Sequence, residues 1–243
     1  MARVDTLPHF LTDVADAIRE KKGTQGTIQA SNFDTEIASI SGGGGLDWSA
    51  IGYSGTPQNI TTDYNYSKNI YDNWDSTQTN LTNKFQNNNN LVYMPLVDTS
   101  NATNVTYMFN SCIYLIEVPS LDFSNVTDAT NIFYNCQNLE TVSSINFSKA
   151  NNLLYAFYSC TNLKNVGEIT IKSTSDIRGM FNGCNSLTDE SLDNILQMCI
   201  TATELYTKTL VNIGFNSTYY PSSRIQALPH YQDFIDAGWT IGY

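Results

Sequence analysis

Met108-Phe109-Asn110-Ser111-Cys112-Ile113-Tyr114-Leu115 is followed 24 residues later by Ile132-Phe133-Tyr134-Asn135-Cys136-Gln137-Asn138-Leu139. The same phrase returns as Ala156-Phe157-Tyr158-Ser159-Cys160-Thr161-Asn162-Leu163 and as Met180-Phe181-Asn182-Gly183-Cys184-Asn185-Ser186-Leu187. Several further columns keep the step: Val118, Val142 and Val166; Leu121, Ile145 and Ile169; Phe123, Phe147 and Ile171. One more step back reaches Phe85, Leu91, Met94, Pro95 and Asp98, so a degenerate first unit begins near Phe85. A chance periodicity does not hold so many apolar columns together. The reading is a repeat whose units bury their apolar face only by stacking on their neighbours.

A 24-residue period falls in the range of leucine-rich repeats, in which each unit supplies one short strand and a turn or helical segment. The expected fold class is an α+β repeat: a short leucine-rich-repeat solenoid of about five coils with N- and C-terminal caps and an N-terminal helical anchor. The wording (Met/Ile/Ala)-Phe-x-x-Cys-x-x-Leu resembles the BspA-type leucine-rich repeats of bacterial surface proteins and of phages of gut bacteria. That resemblance implies the fold over roughly residues 85 to 190 and little about function, because a solenoid is a scaffold whose binding surface is chosen separately.

The 243 residues carry 12 Lys and Arg against 23 Asp and Glu, a net charge of −11. That charge opposes a phosphate backbone, so nucleic-acid binding is not expected. Only 14% of residues are charged, and the surface is polar through hydroxyls and amides, which suits neutral partners. No apolar run is long enough to cross a bilayer, so no membrane insertion is expected. The first residues lack the zones of a secretory signal, so the product is expected to remain where it is translated. The regularly spaced cysteines are read as free, buried thiols, because parallel side chains on stacked units do not face one another, although the strand spacing of about 4.8 Å would permit a disulfide by distance. No C-x-x-C pair suggests zinc, and neither a cofactor nor a metal is expected.

Outside the repeats, Leu7, Phe10, Leu11, Val14 and Ile18 form one helical stripe, and Phe33, Ile37 and Ile40 a second. Two helices this short cannot bury their stripes on each other alone and are expected to dock on a partner. Asp13 to Gly23 (Asp-Val-Ala-Asp-Ala-Ile-Arg-Glu-Lys-Lys-Gly), with Asn32-Phe33-Asp34-Thr35-Glu36-Ile37, is similar to an N-terminal segment of structural proteins of phages infecting Firmicutes. That resemblance implies a virion protein, made in the bacterial cytoplasm and released by lysis, held through residues 1–41 to other virion proteins as a homo-oligomer. The expected organisation is 1–41 as attachment segment, 42–46 as glycine-rich linker, 47–84 as N-terminal cap with a helix from about Asp63 to Trp74, 85–188 as repeats and 189–243 as C-terminal cap. In the last, a helix over Asp189 to Thr201, a strand over Leu210 to Ile213 and a helical stretch from Pro221 to His230 are expected.

No catalytic constellation is legible. His9 and His230 lack a recognisable nucleophile, and Asp98, Glu117, Asp122, Glu140 and Glu168 read as solvated positions. The chain is therefore expected to be no enzyme. The variable slots of the repeats hold Tyr107, Tyr114, Tyr134, Tyr155 and Tyr158, and tyrosine offers contact area at low entropic cost plus a hydroxyl. These five are the candidate ligand-binding residues, for host-surface polysaccharide or protein. The alternative is that several of them cover the core as amphipathic lids.

Overall fold

The computed structural model describes residues 66–201 and 208–242. The anchor stripes (Leu7, Phe10, Leu11, Val14, Ile18, Phe33, Ile37 and Ile40), the linker and the first part of the N-terminal cap lie outside the described residues. Among the described residues, five strands pair only in parallel, in a fixed register. β1 (Glu117–Val118), β2 (Thr141–Val142) and β4 (Asn165–Val166) form one sheet, in which Val118 pairs with Val142 and Val142 with Val166. β3 (Ile145–Phe147) and β5 (Ile169–Ile171) form another, Ile145 opposite Ile169 and Phe147 opposite Ile171. Every pair is 24 residues apart. Side chains alternate as strand geometry requires, Ile145 and Phe147 inward and Asn146 outward.

Isolated bridges carry the same step along a second edge, Asn80 to Asn104 to Asp128 to Asn152 to Asp176. Parallel pairing therefore starts at Asn80, five residues before Phe85. The reason is local. Each of these Asn or Asp residues turns its Oδ1 back to accept the backbone N–H two residues on, that of Thr82, Thr106, Thr130, Leu154 and Arg178. This turn satisfies a backbone donor where the chain changes direction.

Inside, the repeated phenylalanines stack face on face. Ring centroids are 5.5 Å apart for Phe85 and Phe109, 5.2 Å for Phe109 and Phe133, 5.1 Å for Phe133 and Phe157, and 5.3 Å for Phe157 and Phe181. The column does not stop there. Trp74 covers Phe85 at 6.4 Å, while Phe215 and then Tyr220 follow Phe181. All five cysteines are free and buried. Four of them make the same contact, since the thiols of Cys112, Cys136, Cys160 and Cys184 donate to the carbonyls of Phe85, Phe109, Phe133 and Phe157, one unit back, at 2.9–3.1 Å. Cysteine is thus the small apolar residue that also supplies a weak donor.

At the N-terminal side a helix over 66–72 lies on the first unit, with Tyr66, Ile70 and Trp74 packed on the core. Ser67 Oγ and Trp74 Nε1 donate to the carbonyls of Tyr93 and Asp98, which would otherwise face outward. At the other side α1 (Asp189–Thr201) buries Leu192, Ile195, Leu196, Met198 and Cys199. It is tied to α2 (Ser222–Gln226) by Arg224, whose guanidinium reaches Asp189 at 2.7 Å and the Leu187 carbonyl at 2.8 Å. The helical stretch expected to reach His230 ends at Gln226, because Pro229 interrupts it, and α3 (Tyr231–Asp236) begins after His230.

The expected strand at Leu210–Ile213 is a 3-10 helix. Leu-Val-Asn-Ile favours a strand locally, but its place in the stack is over the turn of the fifth unit. Gly179 N–H donates to Asn212 O and Phe181 N–H to Ile213 O, both at 2.7 Å. The segment copies the turn beneath it. Gly214 then follows at φ +108°, and a Cβ there would stand 2.2 Å from Asn182 N, so only glycine lets Phe215 reach the ring column.

Candidate functional site

Each 24-residue unit uses the left-handed backbone region at two positions. One column is Asn83, Tyr107, Asn131, Tyr155 and Gly179; the other is Asn87, Ser111, Asn135, Ser159 and Gly183. Their φ values lie between 55° and 63°, with Gly183 at 82°. Asn and Gly are the residues for which this region is inexpensive, whereas an ordinary L-residue loses about 1–2 kcal/mol there. Tyr107 and Tyr155 occupy places that the fold fills elsewhere with Asn or Gly.

The third residue after each member of the first column makes another row: Gln86, Asn110, Tyr134, Tyr158 and Asn182. The rings of Tyr134 and Tyr158 stack at 4.8 Å with planes 5° apart, and Tyr155 meets Tyr158 edge-on at 5.6 Å and 85°. Tyr155 also lies over the next unit, so that a Cβ on Gly179 would be 2.3 Å from its Cε1. Between Tyr107 and Tyr155, Asn131 is buried and its Oδ1 has no hydrogen-bond partner. Arg178, beside Tyr155, is engaged by Asp176 through both Nε and Nη2, at 2.9 and 2.7 Å. Hydrogen bonding from the Arg178 side chain holds the Asp176 carboxyl below its ordinary 3.8.

Of the five tyrosines singled out from sequence, the structure brings Tyr134, Tyr155 and Tyr158 into one cluster. Tyr107 shares the column of Tyr155 two units away, and Tyr114 stands in a different row with Asn138, Asn162 and Ser186. Tyr107, Tyr114 and Tyr155 are among the most exposed large apolar side chains of the described residues. Tyr134 and Tyr158 are half-buried, so lid and contact surface are combined in one pair. A groove of about 450 Å³ runs elsewhere, beside β3 and β5, between the rows Ser120, Ser144, Glu168 and Asp122, Asn146, Thr170. It contains none of the tyrosines.

Residues 79–195 match the family model described as "Mycoplasma protein of unknown function, DUF285". That family is a Mycoplasma-type repeat domain related to the BspA-like surface proteins. The DUF285 match begins beside Asn80, where parallel pairing starts, and ends within α1. No curated protein and no solved structure matches the chain.

His230, unassigned from sequence, has a partner. Its Nδ1 lies 2.7 Å from Asp193 Oδ2, its backbone N–H donates to Asp193 Oδ1, and Gln197 Nε2 is 3.3 Å from the ring. The pair joins α1 to the start of α3, which is a structural role. Asp193 and His230 are 37 residues apart, a separation with no local signal. Glu140 pairs with Lys164 of the next unit at 3.0 Å, an exposed contact of little energetic weight. Among the described residues no three His, Cys, Asp or Glu side chains are grouped to hold a metal, and no helix is long and apolar enough to cross a membrane.

Proposed function

We propose that the chain is a non-enzymatic phage virion component built as a short leucine-rich-repeat solenoid, anchored through residues 1–41 and displaying its repeats to a host surface. The observation that carries the display half is the uncharged tyrosine cluster raised on the stacked units, with Tyr158 in contact with both Tyr134 and Tyr155. The anchor half rests on the likeness of residues 13–23 and 32–37 to phage structural proteins. Deleting residues 1–45 abolishes incorporation into particles; incorporation that survives the deletion removes the anchor.

A second reading is favoured by the DUF285 match, whose family is related to bacterial surface proteins: a cell-surface adhesin using the same tyrosine face. Immunogold labelling of purified particles against cell envelopes separates the two. An architectural decoration protein without a host ligand is the remaining alternative, and it is supported if particles lacking the protein lose stability but adsorb normally.

A further inference from the structure

The molecule contains its own control for the cost of its tyrosines. In the left-handed column the fold is satisfied by Asn83, Asn131 and Gly179, and in the adjoining row by Gln86, Asn110 and Asn182. Tyr107 and Tyr155 replace Asn or Gly against the backbone preference, and Tyr134 and Tyr158 replace Asn or Gln in the row beside them. Strain tolerated where a cheaper residue would serve the fold points to a function for the side chain.

We infer that Tyr134, Tyr155 and Tyr158, with Tyr107 at their border, form a binding site for a neutral saccharide. This rests on the display reading above and names its ligand class. Two features select that chemistry. The cluster is uncharged, and the neighbouring Arg178 is already held by Asp176, so nothing there favours an ionic ligand. Aromatic faces and edges suit the apolar C–H faces of a sugar ring while tyrosine hydroxyls suit its hydroxyl groups. Size argues against a protein partner. Rows from Tyr107 to Tyr158 span three units, about 10 Å at the spacing of neighbouring strands, well short of a patch of about 800 Å² per partner.

The test uses the full chain on immobilised neutral hexose and N-acetylhexosamine oligosaccharides, and on whole Firmicutes cells that are untreated, periodate-oxidised or protease-treated. The expected result is binding to cells that is lost on periodate oxidation, survives protease, and is matched by at least one oligosaccharide. Y155N and Y158N, which install the residue the fold already uses in those columns, weaken binding about tenfold or more; Y155N exchanges its ring contact for a relaxed left-handed backbone and keeps the thermal midpoint, whereas Y158N loses two ring contacts and lowers it modestly. Y155F and Y158F keep the ring and retain most of the affinity, which guards against misfolding of the Asn variants. Y114N, in another row, changes nothing. Cell binding that is destroyed by protease and resists periodate overturns the saccharide while leaving display intact. Absence of cell binding overturns the display reading and the saccharide with it. Unaltered binding by Y155N and Y158N overturns this site.

Discussion

Replacing Gly179 by alanine probes the tyrosine cluster through its support. A Cβ at 179 would lie 2.3 Å from Tyr155 Cε1 and 2.5 Å from Cδ1, and φ at this residue is +63°. Two costs follow. The left-handed conformation costs an alanine about 1 kcal/mol relative to glycine. Moving the Tyr155 ring forfeits its edge-on contact with Tyr158, worth about 0.5–1.5 kcal/mol. G179A is therefore expected to lose about 1.5–2.5 kcal/mol in urea unfolding followed by circular dichroism. The double variant G179A/Y155N removes the colliding ring, so alanine should then cost only its backbone share. A coupling of about 0.5–1.5 kcal/mol between the two positions is the expected outcome. Strictly additive effects, or a G179A variant as stable as the parent, would refute the placement of Tyr155 over the fifth unit.

F133A removes a ring sandwiched at 5.2 and 5.1 Å between Phe109 and Phe157 and is expected to cost about 3–5 kcal/mol, read from the same unfolding curves. C136A loses the thiol donor to Phe109 O and leaves a small void, at about 1 kcal/mol, whereas C136S retains a donor but buries a hydroxyl; both are compared by thermal melts. Burial pushes the Cys112 thiol up to about 12 from an ordinary 9.0 and raises Cys136, Cys160 and Cys199 as well. These groups release protons more readily when unfolded, so stability is complete below pH 9 and falls as pH rises toward 12, by about 1.4 kcal/mol per pH unit for each such thiol. A stability that is flat across that window, after correction with a Cys112→Ala variant, would contradict their burial. In the native protein the same thiols should resist a water-soluble disulfide reagent at pH 8.

The interior was legible because its columns repeat residue identity: Phe, Cys and Leu return at one interval and each has one place to go. The left-handed columns were not, since Asn, Tyr, Ser and Gly share a backbone conformation rather than a side-chain type. Phe215 carries no periodic signal for a different reason. It continues the ring column 34 residues after Phe181, outside the period, because α1 intervenes. Leu210 to Ile213 read as a strand from its β-branched residues, while stacking on the Gly179–Phe181 turn imposed a helical one. Likewise the candidate tyrosines could be chosen as variable slots, but which of them touch depends on the stagger of neighbouring units. That stagger separates Tyr114 from the cluster and joins Tyr134 to Tyr158.

Asn90 and Ser186 are exposed, occupy the same row and are four units apart. Spin labels on N90C and S186C, introduced beside native cysteines that are buried, report the stack directly by pulsed electron resonance. Stacking in register places the two positions about 19 Å apart, four strand spacings, and predicts one narrow distribution near that value once the label arms are allowed for. A broad distribution, or one centred beyond about 30 Å, would contradict parallel stacking of the 24-residue units.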